Sequence, residues 1–307
     1  MIRWALQRTV YSLTLLWGVV TVVFLLVHLG GDPVAGLVPP GASEADRQVV
    51  RTAYGLDRPL GEQYLSMLER FSRGDFGESW RQGRPALDAV RERLPATLAL
   101  TALALVIALG LGVGGGLWAG SSAGGWGDHI VRVLALLGQS IPTFLVGAVL
   151  VMVFAIRFRW LPASGFLSPQ SLILPAVTLA IFPAAMLARL VRAGTAESMA
   201  SDYVRTARGK GLAESVVLRV HVLRNAVIPA LGYAGFQLGF LIGGATVVEL
   251  VFAYPGMGLL ALNAAADRDL PVIEAYVVVV AILLIIVNAI VDFCSTVLDP
   301  RIGEVEL

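Results

Sequence analysis

The 307-residue sequence is poor in charge. Only 15% of its residues are Asp, Glu, Lys or Arg, against roughly 25% in globular domains. Its formal net charge is +1, so it lacks the basic excess that displaces phosphate counterions, and nucleic acid is excluded as a partner. A single cysteine, Cys294, rules out a disulfide framework or a cysteine-held metal cluster. The three histidines, His28, His129 and His221, lie too far apart for a local metal motif, and no metal site is expected. Neither an H-E-x-x-H pair nor a nucleophile with an adjacent base is visible. The chain is therefore not expected to be an enzyme. Internal repeats and low-complexity tracts are also missing.

Apolar residues are present in excess. They make up 57% of the chain, with a mean hydropathy of +0.77. About 30 Å of hydrocarbon at 1.5 Å per residue calls for about 20 apolar residues per crossing. Stretches of that kind run from about Thr9 to Leu29, Ala96 to Gly120, Val133 to Ile156, Ser171 to Ala188, Ala230 to Val248 and Ala275 to Val291. The fourth is short and contains Pro175 and Pro183. No small-residue cleavage site follows the first, which reads as a retained span. The fold class expected is all-α, a polytopic membrane protein with about six transmembrane helices in a lipid membrane. An even number of spans puts both termini on one side.

Basic residues near span ends set the orientation. Arg3 and Arg8 place the N-terminus in the cytoplasm. The segment 189–229 falls on the same side, with Arg189, Arg192, Arg205, Arg208, Lys210, Arg219 and Arg224 against Glu197, Asp202 and Glu214. The acidic tail (Glu304, Glu306) and the nearly uncharged 121–130 loop give no direction. By this topology the long connection 31–95 lies outside. Tyr64, Leu65, Leu68 and Phe71 recur at roughly helical spacing within it, and 85–94 repeats the tendency. It reads as a structured cap packed on the span ends.

The glycine run from Gly110 to Gly120 lies inside an apolar span and lacks the Lys-Ser/Thr of a phosphate loop. Its small residues are expected to admit close helix packing. Ionisable residues inside the spans, the usual mark of ion-coupled carriers, are scarce. Glu249 and Asp292 fall near span ends, where a carboxylate reaches water or caps a helix. His28 reads as interfacial. Gln139, Gln237 and Asn288 read as interhelical hydrogen-bonding groups that could also line a passage. These five, Glu249, Gln139, Gln237, Asn288 and Asp292, are the candidates for pathway or gating roles.

One polar stretch stands apart: DYVRTARGKGLAESVVLRVHVLRNAVIP, residues 202–229. Ala213, Val216, Val217, Val220 and Leu223 share a helical face. Gly209 and Gly211 just before it allow a backbone reversal. The spacing predicts a helix, a bend, a short amphipathic helix and re-entry into the membrane at Pro229. On these grounds the apolar stripe fits either a lipid surface or a cytosolic protein.

The residues Asp202-Tyr-Val-Arg-Thr-Ala-Arg-Gly-Lys-Gly211, with Leu223-Arg-Asn-Ala226 and Pro229, resemble the cytoplasmic coupling loop of ABC importer permeases. They are most similar to the peptide and nickel branch of type I importers. Further similar motifs are Gly31-Asp-Pro33, Tyr54-Gly-Leu-Asp-Arg-Pro59, Gly74-Asp-Phe-Gly77, Arg93-Leu-Pro-Ala-Thr97 and Ser140-Ile-Pro142. Trp160-Leu-Pro-Ala-Ser-Gly165, Ile173-Leu-Pro175, Val248-Glu-Leu-Val-Phe252, Tyr254-Pro-Gly-Met-Gly258, Asp269-Leu-Pro-Val272 and Leu298-Asp-Pro-Arg-Ile302 follow in order. The resemblance spans nearly the whole chain. Arg205 and Arg224 depart from the wider importer pattern and match the peptide branch.

The resemblance implies a type I importer permease forming half of a translocation pathway for dipeptides, oligopeptides or a related solute such as a nickel chelate. It implies residues 1–30 as a first helix, 31–95 as an extracytoplasmic cap, 96–298 as the five-helix importer domain and 299–307 as a cytoplasmic tail. Implied partners are a second permease, two nucleotide-binding ATPase subunits that hold the ATP and magnesium, and an extracytoplasmic substrate-binding protein. No cofactor is expected in this chain. The coupling-loop residues implied are Tyr203, Arg205, Thr206, Ala207, Lys210, Gly211, Leu212, Arg224 and Asn225. Of these, Ala207 and Gly211 are expected to be small because a partner's groove fills the space beside them. The implied location is a bacterial or archaeal cytoplasmic membrane. An ion-gradient-coupled carrier is the alternative.

Overall fold

The structure is a computed structural model that describes residues 2–29, 34, 37–38 and 41–298. The Gly31–Pro33 motif and the tail from residue 299 lie outside the described residues. Among those described, the regular elements are helices, with one isolated bridge between Glu78 and Pro85. In chain order they are α1 (Ile2–Leu29), α2 (Glu44–Ala53), α3 (Leu60–Ser72), α4 (Ala86–Ser121), α5 (Trp126–Ser140) and α6 (Thr143–Leu150). Then come α7 (Ile173–Met199), α8 (Asp202–Gly209), α9 (Glu214–Val216), α10 (Leu223–Val251), α11 (Met257–Ala266) and α12 (Leu270–Leu298).

Five of these, α1, α4, α7, α10 and α12, are long and apolar enough to cross a membrane. The third expected span departs from the sequence reading. In place of one helix from Val133 to Ile156, α5 and α6 meet at 108°. Pro142 explains the break: it has no N–H to donate, and it pushes the preceding Ile141 to an extended conformation (φ −87°, ψ 126°). Beyond α6 the helix widens into a π-helical stretch, Val151–Arg157.

Other bounds also shift. The second span begins at Ala86 and passes through Pro95 without ending. The fourth is not short: α7 has 27 residues. Pro175 falls in its first turn, where a missing N–H costs nothing. Pro183 is tolerated inside because packing outweighs propensity, with 67% of the apolar window buried. Pro229 does not interrupt the helix, which runs on from Glu214 to Val251, and the apolar stretch that follows it covers Gly232–Val251. The ten-residue α11 has no counterpart among the expected helices.

The chain divides into two compact units that cut across chain order. One comprises the residues up to Pro95 together with Leu259–Ile286. In it the long connection is folded, as its helical spacing implied. Ser43 and Asp46 form a reciprocal capping box at the start of α2. Tyr64 on α3 shares a 2.6 Å hydrogen bond with Thr21 on α1, and His28 lies 3.0 Å from Gln63. Buried Asp269 accepts bonds from the Ser79 hydroxyl and, at 3.1 Å, from the Trp80 N–H.

The other unit, Ala96–Gly258 with the residues from Val287, is built around α7. Its core joins Leu100 of α4, Leu187 and Val191 of α7, and Leu241 and Val248 of α10. Gly112, Gly116 and Gly120 recur every fourth residue along α4. A Cβ on any of them would overlap α7, at Leu187, Val191 and Thr195 respectively. The close packing expected of the glycine run is therefore met by these three. Gly110, Gly114 and Gly115 have no neighbour within 4 Å of an added Cβ.

Candidate functional site

The 202–226 segment is a small ordered element with its own core. Val204 and Ala207 of α8 pack with Val217, Val222 and Ala226, all at most 5% exposed. The buried face differs from the predicted one: Val217 is buried, but Val216 and Val220 are 40% and 58% exposed. A π-helical stretch, Val217–Val222, causes the shift. Its i→i+5 bonding adds a residue to the turn, so Val222 succeeds Val217 on the inner face where 3.6-residue spacing would place Val220 or His221.

The turn between α8 and α9 rests on Gly211, whose φ is +80°, a left-handed conformation that glycine adopts without penalty. Gly209 instead ends α8. Arg208 donates to both Glu214 carboxylate oxygens, at 2.6 and 3.1 Å, clamping the turn. These bonds, and then the guanidinium charge, hold the Glu214 carboxyl below the ordinary carboxylate range. Asn225 donates to the Tyr203 hydroxyl at 3.0 Å, and Thr206 to the Asp202 carbonyl at 2.9 Å.

The expected loop residues thus divide by role. Tyr203, Arg205, Thr206, Lys210, Gly211, Leu212, Arg224 and Asn225 are exposed. Ala207 is not: it is 5% exposed inside the element's own core. Its small size is accounted for within the chain, and that of Gly211 by backbone conformation, since nothing lies within 4 Å of an added Cβ.

The pathway candidates do not form one cluster. Glu249 does not reach water; it is fully buried. Thr97 donates to its Oε1 at 2.6 Å, and the same hydroxyl accepts from the Met257 N–H at 2.9 Å. Gly256 lies so close to the carboxylate that a Cβ there would collide with it. Buried Tyr254 completes the turn by donating to the Ala96 carbonyl at 3.2 Å, and burial with the nearby Glu249 charge raises its phenol above the usual range. Gln139 and Gln237 come together on one cavity of about 290 Å³ beside the α5–α6 break. Asn288 is exposed and Asp292 half-buried on α12, and neither lines that cavity.

Arg192, counted above only as a basic residue near a span end, is paired with Asp128. Asp128 is fully buried and accepts two bonds from Arg192, at 2.8 and 2.9 Å. A third comes from the Gly124 N–H at 2.9 Å, and Arg132 lies 3.3 Å away. The group pins the start of α5 to α7. Separated by 64 positions, the pair has no signal in the sequence.

Known proteins resemble this chain along its length. The family described as "Binding-protein-dependent transport system inner membrane component" matches residues 112–304. The "Glutathione transport system permease protein GsiC" of Escherichia coli (strain K12) is 38% identical over 303 residues, covering 98% of this chain and 99% of that protein. The protein of the same name from Shigella dysenteriae serotype 1 (strain Sd197) shares the same identity and coverage. Among solved structures, a chain of the inward-facing MetNI methionine ABC transporter aligns over 68% of this chain and 96% of its own, with 17% identity and a TM-score of 0.57. That likeness is one of fold. The matched family spans most of the importer helices, and full-length relatives align end to end. The chain belongs to the binding-protein-dependent transport system inner membrane component family and is a multi-pass permease of an ABC importer.

Proposed function

We propose that the chain forms half of a peptide-type translocation pathway and that residues 202–226 are its contact with a cytoplasmic ATPase. One observation supports this most: the segment holds itself together with a buried core while Tyr203, Leu212, Val216 and Val220 stand 39–58% exposed. An element lying only on lipid would need neither a separate core nor a clamped glycine turn. As a transporter subunit it performs no chemistry itself. ATP binding closes two partner ATPases, each coupling element moves with its ATPase, and the spans reorient as near-rigid bodies.

In this reading both termini and residues 202–229 are cytoplasmic, and 31–95 form an external cap that meets a substrate-binding protein. The domains are those implied by resemblance: 1–30, 31–95, 96–298 and 299–307. The partners are a second permease, two ATPases and the binding protein, in a bacterial cytoplasmic membrane. The cargo class is small peptides, with a glutathione-like peptide favoured by the name of the 38% identical relatives. An ion-coupled carrier is disfavoured because the buried carboxylates are engaged by protein donors: Asp128 by Arg192, Asp269 by Ser79 and Trp80, and Glu249 by Thr97.

The test is Leu212→Glu in the complete transporter. Leu212 is exposed and outside the segment's core, so assembly of the spans should be unchanged. A charge forced into an apolar contact costs several kcal/mol unless paired, and stimulated ATP hydrolysis should fall by more than about tenfold. Ala207→Glu is a poorer probe because it disrupts the element's own core. Normal stimulated hydrolysis in the Leu212 variant would overturn the assignment.

A further inference from the structure

The cavity of about 290 Å³ in the second unit is walled by the α5–α6 break, Ser140 to Thr143, and by residues of α7 and α10, among them Phe182, Gln237 and Phe240. Three features there favour an anion. The first turn of α6 lines the cavity, and no side chain caps it. The first N–H groups of a helix have no partner within it and carry the positive end of its dipole. The Gln237 side chain is 2% exposed, and its Nε2 has no hydrogen-bond partner among the described residues. A buried donor left unmatched costs about 1–3 kcal/mol; Nε2 is turned away from the cavity that Gln237 lines, and rotation about the soft last torsion of the side chain brings it to an acceptor there. Finally, Arg189 donates to Gln139 on the cavity wall at 3.0 Å, whereas no Asp or Glu is among the described residues that line the cavity. Broken membrane helices present anion sites in this manner, with half-helix N-termini aimed at carboxylates.

We propose that this cavity is a subsite for the free carboxylate of a peptide cargo in transit, held by the α6 N-terminal amides and the Gln237 Nε2. Phe182 and Phe240, with ring centroids 6.1 Å apart, form an apolar wall for an adjoining side chain. The inference rests on the peptide-type reading above and adds the chemical group recognised. Two substitutions remove donors without adding bulk. Gln237→Leu deletes the amide. Thr143→Pro deletes an α6 N–H at a helix position that suits proline, and Pro142 already has the extended backbone (φ −58°, ψ 137°) that a following proline requires.

The experiment uses the complete transporter in nanodiscs with its binding protein, and a benzophenone amino acid in place of Phe240. The probe is a labelled mixture of di- and tripeptides with free carboxyl termini. Photocapture should occur, should be displaced by excess free-acid peptides more effectively than by C-terminal amides, and should fall about tenfold in each variant, the loss of one hydrogen bond to a charged group. Binding of the loaded binding protein should be unchanged. ATP-driven uptake of the same mixture is measured in parallel. Uptake without capture, equal competition by amides, unaltered capture in both variants, or capture of phospholipid would each overturn the subsite while leaving the importer reading intact. Absence of both uptake and capture would overturn the two together.

Discussion

Glu249 shows how a single buried carboxylate can organise a turn. Its Oε1 accepts from Thr97 at 2.6 Å, and Thr97 in turn accepts from the Met257 N–H at 2.9 Å, so one side chain ties α10, α4 and the start of α11 within the second unit. Glu249→Gln keeps an acceptor of nearly the same shape and should retain most transport. Glu249→Leu strands the Thr97 hydroxyl, and each buried polar group left unmatched costs about 1–3 kcal/mol. It should lower the thermal midpoint of the detergent-solubilised transporter and abolish uptake. Equal, complete loss of uptake in both variants, with normal assembly, would point to a role for the charge itself. The sequence places Glu249 at a span end and hints at bonds to backbone N–H groups. It does not show burial, because closure over the carboxylate depends on Gly256 and Gly258 packing against Glu249 and Thr246.

At the scale of elements, α4 and α7 are joined by a glycine row. Gly116→Val places branched bulk against the Ala188 carbonyl and Val191, which rigid helices cannot yield. Folded permease recovered in detergent should fall severely. Gly114→Ala, with open space at the same level, should be neutral or gain up to about 1 kcal/mol from helix propensity; if the two variants behave alike, close packing is not what the row provides. The five long apolar helices were legible because the hydrocarbon thickness dictates run length. Their bounds were less so. The 108° break follows from Ser140-Ile-Pro142, a local cue hidden inside a continuous apolar run, and the α7 extension past Ala188 depends on packing that hydropathy does not register. In the coupling element, Gly211 and the helical tendency were readable. The π-helical phase shift was not, since it exchanges Val220 for Val222 with no change in composition.

For the whole molecule, the arginine distribution predicts sidedness. With Cys294 replaced, a cysteine at Gln48, exposed on α2, should react with an impermeant thiol reagent added to intact spheroplasts, and one at Ser215, exposed beside Gly211, should not. Gln48 is preferable to Ser43, whose hydroxyl caps α2. Reversed labelling would invert the proposed topology. The central claim is that this permease passes peptide cargo on the energy of ATP. It is tested most directly in proteoliposomes holding the permease pair and its ATPases, with the binding protein and a labelled di- and tripeptide mixture outside, ATP inside, and ionophores collapsing proton and sodium gradients. The predicted result is uptake that requires ATP and the binding protein and is indifferent to the ionophores. Uptake that persists without ATP and disappears when an ion gradient is collapsed would contradict it.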